Sequence, residues 1–150
     1  MARNRSRILS TDMQSTMGNQ AVMGVRELAE TSLRLTKEGD RDGWLALFTD
    51  DAVVEDPVGV SPFDGGVGGN QGKEAIARFR DTVIATMENF EYEIERCYVC
   101  GDEAAAVVTF HITAGGNTMD MDVVNIYKTD GRGRLASLRS FWDGSLQGGQ

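Results

Sequence analysis

Apolar residues recur at helical spacing from Gln20 onward: Ala21, Val25, Leu28, Ser32 and Leu35 fall on one stripe, and Gly39 supplies the stop. A second, short helix over Asp42–Phe48 presents Trp44, Leu45 and Phe48. Ala52 to Asp56 then reads as a strand that Pro57 ends, because proline lacks an N–H and biases its predecessor towards extended geometry. Lys73–Glu88 returns to helical period with Ile76, Phe79, Val83 and Met87 on its buried stripe. Beyond it the period falls to two. Phe90–Cys100, Ala104–Ala114, Met119–Lys128 and Leu135–Trp142 are four predicted strands, separated by Gly-rich turn signals. Helices followed by an antiparallel meander define an α+β domain with helices on one face of a sheet. Residues 1–19 are polar and aperiodic and read as a flexible leader, so that 20–150 form the single domain.

Alternation assigns faces. Ala106, Val108, Phe110 and Ile112 share one face of their strand, and Val107, Thr109, His111 and Thr113 the other. On the next strand Met119, Met121, Val123, Asn125 and Tyr127 share the core face, which makes Asn125 a polar residue among apolar ones. A buried amide without partners costs about 1–3 kcal/mol, so it must find them in the core, in water or in a ligand. Ser32 is the equivalent oddity on the first helix, either bonded back to its own backbone or facing a cavity. Asp56 sits at a strand end among aliphatic neighbours; an apolar cavity there raises its pKa and makes it a proton acceptor, whereas a solvated Asp-Pro turn does not. The Gly-rich stretch Pro57–Gly72 carries no Gly-Lys-Ser/Thr and no dinucleotide fingerprint, and its length suits a lid or rim.

Composition narrows the classes. A length of 150 residues suits one domain with a substantial core. A net charge of −8 argues against a general nucleic-acid binder. No apolar run approaches the roughly 18 residues of a membrane span, and the Arg-containing start lacks a signal-peptide core, so a soluble cytoplasmic protein is expected. Cys97 and Cys100 lie on a predicted strand where residues three apart point to opposite faces, and read as reduced structural thiols. With one His and no further Cys, no zinc site is expected, and no other cofactor is implied. His111 falls on the outer face, Arg80 reads as a solvated helix-edge residue, and Glu91, Glu93 and Glu95 read as an edge-blunting acidic row.

The run from Gly39-Asp40 through Trp44-Leu45-Ala46-Leu47-Phe48-Thr49-Asp50-Asp51-Ala52-Val53-Val54-Glu55-Asp56-Pro57-Val58-Gly59 resembles the segment around the catalytic base of bacterial ketosteroid isomerases. Gly72-Lys73-Glu74-Ala75-Ile76, Asp122-Val123-Val124-Asn125 and Ser140-Phe141-Trp142 extend the likeness over about residues 20–145. It points to the nuclear-transport-factor-2-like superfamily, which includes SnoaL-like polyketide cyclases and epoxide hydrolases. The resemblance implies a cone-shaped α+β barrel, its curved sheet packed against three helices around a deep apolar pocket, and a homodimer. It makes Asp56 the general base and places Phe79, Val108, Phe110, Val123, Ser140 and Trp142 on the pocket wall. Two departures matter: the family's oxyanion-binding Tyr and protonated Asp are here Ser32 and Asn125. Loss of one good oxyanion donor raises a barrier by roughly 3–4 kcal/mol. The Gly-rich insertion near Phe63–Asn70 is a third departure, at the pocket mouth. The implied activity is therefore cofactor-independent cyclisation of a large hydrophobic, polyketide-like substrate, with Asp56 as base and Asn125 and Ser32 as hydrogen-bond donors. Steroid isomerisation, epoxide opening through Asp56, Asp122 and Asn125 (only if a bulge turns Asp122 inward from the outer face that parity gives it), and non-catalytic ligand binding are the alternatives.

Overall fold

A computed structural model describes residues 22–60 and 69–143. The predicted leader, Ala21 and most of the Gly-rich insertion lie outside the described residues. Helix α1 (Val25–Glu38) buries Val25, Leu28, Ser32 and Leu35, the predicted stripe, together with Ala29 and Leu33. Gly39 closes it in the left-handed region at φ 72°, where a Cβ is disfavoured, and its N–H bonds the Leu35 and Thr36 carbonyls. Asp40 then caps α2 (Arg41–Ala46), its carboxylate accepting from Gly43 N at 2.9 Å.

The second helix is shorter than its pattern suggested. Phe48 opens strand β1 (Phe48–Glu55), which continues to the residue before Asp56. Within the predicted loop, β2 (Asn70–Gln71) pairs antiparallel with β1. Helix α3 (Lys73–Thr82) also stops early, giving way to one 3-10 turn at Ile84–Thr86. Thr82, Val83 and Ile84 form a β-branched run, and Thr82 Oγ1 bonds back to the Arg78 and Phe79 carbonyls at 2.8 and 3.2 Å, both of which weaken a helix.

The meander follows as β3 (Asn89–Cys100), β4 (Glu103–Ala114), β5 (Asn117–Thr129) and β6 (Leu135–Phe141). All six strands form one mixed sheet in the order β2-β1-β6-β5-β4-β3, in which β1 and β6 run parallel. The sheet curves but keeps two edges, so the cone is an open one. Helix α1 packs across β3, β4 and β5. The core gathers Leu28, Trp44, Phe48, Val54, Ile76, Tyr127 and Leu135, each no more than 2% exposed.

The predicted faces of β4 and β5 are the observed ones. His111 lies on the outer face, its Nδ1 2.6 Å from Asp120 Oδ1 and its Nε2 3.1 Å from Glu93 Oε2. The hydrogen bond to Asp120, then that to Glu93, raise its pKa. On β3 a bulge between Ile94 and Arg96 inverts the alternation. Phe90 and Tyr92 face inward before it, Cys97 packs against the core after it, and Tyr98 points outward. Cys97 and Cys100 are free thiols, the second exposed rather than structural. No helix among the described residues is long and apolar enough to cross a membrane.

Candidate active site

A cavity of about 400 Å³ lies between α1, α3 and the concave face of the sheet. Its walls are mostly Leu, Ile, Val, Met and Phe, and its polar groups gather where α1, β5 and β6 meet. The size falls in the range of about 300–1,000 Å³ usual for small-molecule sites.

Strand β1 delivers the acid. Val54 is fully buried and Glu55 turns outward to accept from Arg139 Nε at 2.6 Å, so alternation sends Asp56 to the cavity side. Burial raises the Asp56 pKa above the ordinary carboxylate range, and the hydrogen bond from Trp142 offsets part of that rise. Trp142 Nε1–H donates to Asp56 Oδ1 at 2.6 Å. The chain past the cis Asp56–Pro57 peptide is tied down by Val58 N–H donating to the Ser140 carbonyl at 2.9 Å.

Strands β5 and β6 deliver the donors. Asn125 stands opposite Ser140 in register, and Ser140 Oγ–H donates to Asn125 Oδ1 at 2.6 Å. Asn125 Nδ2–H in turn donates to Tyr127 Oη at 3.0 Å. Ser32 Oγ accepts from Trp44 Nε1–H at 3.1 Å, and the Ser32 hydroxyl stands near enough to the Tyr127 phenol to work against the rise in its pKa. Ser140, Asn125 and Tyr127 thus form one hydrogen-bonded chain on the cavity wall, with the Ser32–Trp44 pair beside it. Burial above all pushes the Tyr127 phenol up, so it stays protonated and can donate.

A donor count shows what this chain offers. The Tyr127 and Ser32 oxygens each accept one bond, and neither hydroxyl donates to another of the described residues, so both hydrogens remain uncommitted. Asn125 has a second N–H as well. These are donors suited to a carbonyl or enolate oxygen. Ser32 is not bonded back to its own helix; it belongs to the cavity wall.

Of the residues marked in the sequence, Ser32, Asp56, Phe79, Phe110, Asn125, Ser140 and Trp142 line this cavity. Val108 and Val123 do not. They face each other across β4 and β5 at 1% and 2% exposure, and their short side chains rise less far from the sheet than Phe110 and Met121 in the next row. Asp122 lies on the outer face, where Thr109 Oγ1 donates to it at 3.4 Å, and so cannot join Asp56 in epoxide opening. Trp44 and Tyr127 are polar wall residues that hydrophobic patterning reads only as core. Arg80 is not solvated: it is 5% exposed, with its guanidinium 5.5 Å from the Trp44 ring centre. Among the described residues no group of three His, Cys, Asp or Glu side chains is gathered as for a metal ion.

The polar chain also makes a stability prediction. Tyr127→Phe leaves the Asn125 N–H without its buried acceptor and is expected to cost about 1–3 kcal/mol in urea denaturation. An unchanged unfolding midpoint would mean that the phenol is not held in this chain.

An open α+β cone with one acid and a string of donors in an apolar cavity defines a pocket protein of the ketosteroid-isomerase-like class. Residues 29–138 match the SnoaL-like domain model, and the chain belongs to that family. The chain is similar in structure to RV0760c from Mycobacterium tuberculosis, at 30% identity and a TM-score of 0.78 over 86% of this chain and 98% of that one. RV0760c has also been solved in complex with estradiol-17beta-hemisuccinate. The Delta 5-3-ketosteroid isomerase of Mycobacterium sp. is 32% identical, with a TM-score of 0.75 over 82% of this chain and 95% of that one. By sequence the chain is 26% identical to the uncharacterized PhzA/B-like protein PA3332 of Pseudomonas aeruginosa, over 81% of this chain and 85% of that protein.

Proposed function

We propose that this protein is a cofactor-independent enzyme that enolises a large, mostly apolar ketone of polyketide type and holds it folded for ring closure. Asp56 removes the proton from the carbon beside the carbonyl. Asn125, with the Tyr127–Ser32 hydroxyl pair, donates hydrogen bonds to the oxygen on which charge develops. Phe79 and Phe110 shape the apolar wall. The observation that carries this reading is that the end of β6 supports both halves of the site: Ser140 holds the donor Asn125, and Trp142, just past the strand, holds the acid. Ring closure needs less electrophilic help than steroid isomerisation, because holding reacting ends together can itself supply about 7–11 kcal/mol at the limit.

The first step can be tested without the natural substrate. Polycyclic ketones incubated with the protein in deuterium oxide are expected to exchange their α-hydrogens, read by mass spectrometry, and to stop doing so in Asp56→Asn. Ketones that bind but never exchange would leave a binding protein instead. The second reading, steroid isomerase, is favoured by the 32% identity to the Mycobacterium enzyme. A β,γ-unsaturated 3-ketosteroid then gains the ultraviolet absorbance of a conjugated enone, and a flat trace removes that reading alone. The family likeness also supports a homodimer, which light scattering on the full chain would check.

A further inference from the structure

We propose that Arg80 forms the floor of a second binding site, a polar cleft beside the apolar cavity that takes a carboxylate group. The cleft encloses about 370 Å³ and shares Thr36, Ile84, Met87 and Phe90 with the cavity as a common wall. Its charged residues are almost all satisfied. Lys37 pairs with Glu91 at 2.6 Å, and Arg41 holds Asp81 through two bonds of 2.7 and 3.0 Å. Glu38 accepts from Arg34 at 3.1 Å, and Glu88 from Gly116 N at 3.0 Å.

Arg80 is the exception. Its side chain is 5% exposed, and its buried Nε–H has no hydrogen-bond partner among the described residues. The face of Trp44 offers the guanidinium a ring quadrupole and no acceptor atom. A guanidinium carries five N–H donors in a planar fork, a shape matched by the two oxygens of a carboxylate. A nearly dry, unmatched cation gains more from such a partner than a solvated one, because little water has to be displaced. Neighbouring Asp81 is committed to Arg41 and does not fill the role.

The shared wall suggests whose carboxylate it is. An apolar body in the cavity with an acidic end could pass Ile84 and Met87 and place that end on Arg80. This part rests on the ligand-pocket reading above; the anion site itself does not.

Two measurements on the full chain separate these points. In the first, protein with isotope-labelled arginine is titrated with sodium succinate at constant ionic strength. The Arg80 Nε–Hε resonance, assigned by its loss in Arg80→Met, is expected to shift saturably. A shift no larger than chloride produces would overturn the site. In the second, binding of pyrenebutyrate is compared with that of pyrenebutanol, which differs only in the charged end. A preference for the acid of about 10-fold or more, abolished in Arg80→Met while alcohol binding stays within about twofold, assigns the carboxylate to the cavity ligand. A succinate shift without that preference assigns the site to a separate small anion. Failure of both pyrene compounds to bind counts against the cavity reading and leaves the succinate result standing.

Discussion

Asp56→Asn is expected to lower α-hydrogen exchange by about 10²–10⁴-fold, the usual worth of a positioned general base, while leaving ketone binding within a few-fold. The amide keeps the shape of the carboxyl and can still accept from Trp142 Nε1 through its oxygen, so the wall of the cavity should not collapse. The same substitution should make the protein more stable at neutral pH, by about 1 kcal/mol. The sign follows from the direction of the shift. Burial raises the folded-state pKa of Asp56 above its unfolded value, so the folded form binds this proton more readily. The stability contributed by that preference is fully present below the unfolded pKa and is lost as pH rises through the folded one. Wild type at pH 7 therefore bears the whole cost of a poorly hydrated charge, and Asn does not. Thermal melts of both proteins across pH should converge in acid and separate towards neutrality. The rate should show its acid limb at a pH above the ordinary carboxylate range. An Asn variant that is slower but no more stable at any pH would place Asp56 in water, and the argument for a tuned base would go with it.

Much of this arrangement was legible because polar residues broke an apolar rhythm. Asn125 and Ser32 each occupy a core position in an otherwise hydrophobic stripe, and Asp56 stands where Pro57 ends a strand. Each of those three exceptions turned out to face the cavity. The same logic hides Trp44 and Tyr127, whose bodies obey the rhythm while their N–H and O–H do the polar work. Arg80 had a signal that charge obscured: it lies four residues after Ile76 and one after Phe79, inside the buried stripe of α3. Val108 and Val123 show the opposite limit, since parity gives the face of a residue and says nothing of how far its side chain reaches. The bulge near Glu95 was not legible, because an extra residue is a property of the pairing and leaves no mark in one strand read alone. Parity had already put Asp122 on the outer face, and the unbulged β4–β5 register keeps it there opposite Thr109, which leaves the epoxide-hydrolase alternative without its second carboxylate.

Trp44→Ala is expected to be the most destabilising single change in the site, at about 3–5 kcal/mol. Set against a typical total of about 5–15 kcal/mol for a domain, that is enough to leave a large unfolded fraction in mild urea. Three contacts explain the size. The indole is 2% exposed and meets Phe48 edge-on with ring centres 4.7 Å apart, so its loss opens a void in the centre of the core. Its N–H is the donor to Ser32, and without it the Ser32 oxygen on the cavity wall loses its partner. Its ring also packs against the Arg80 guanidinium at 5.5 Å, so the void would lie beside an almost dry cation and invite water in. Trp44→Phe separates these effects, since it keeps most of the ring and removes only the N–H; it should cost about 1–3 kcal/mol. Combined with Ser32→Ala, it should cost less than the two single changes added, because both delete the same hydrogen bond. Additive costs would show that Ser32 is held by its own helix after all, leaving Tyr127 as the hydroxyl able to donate into the cavity.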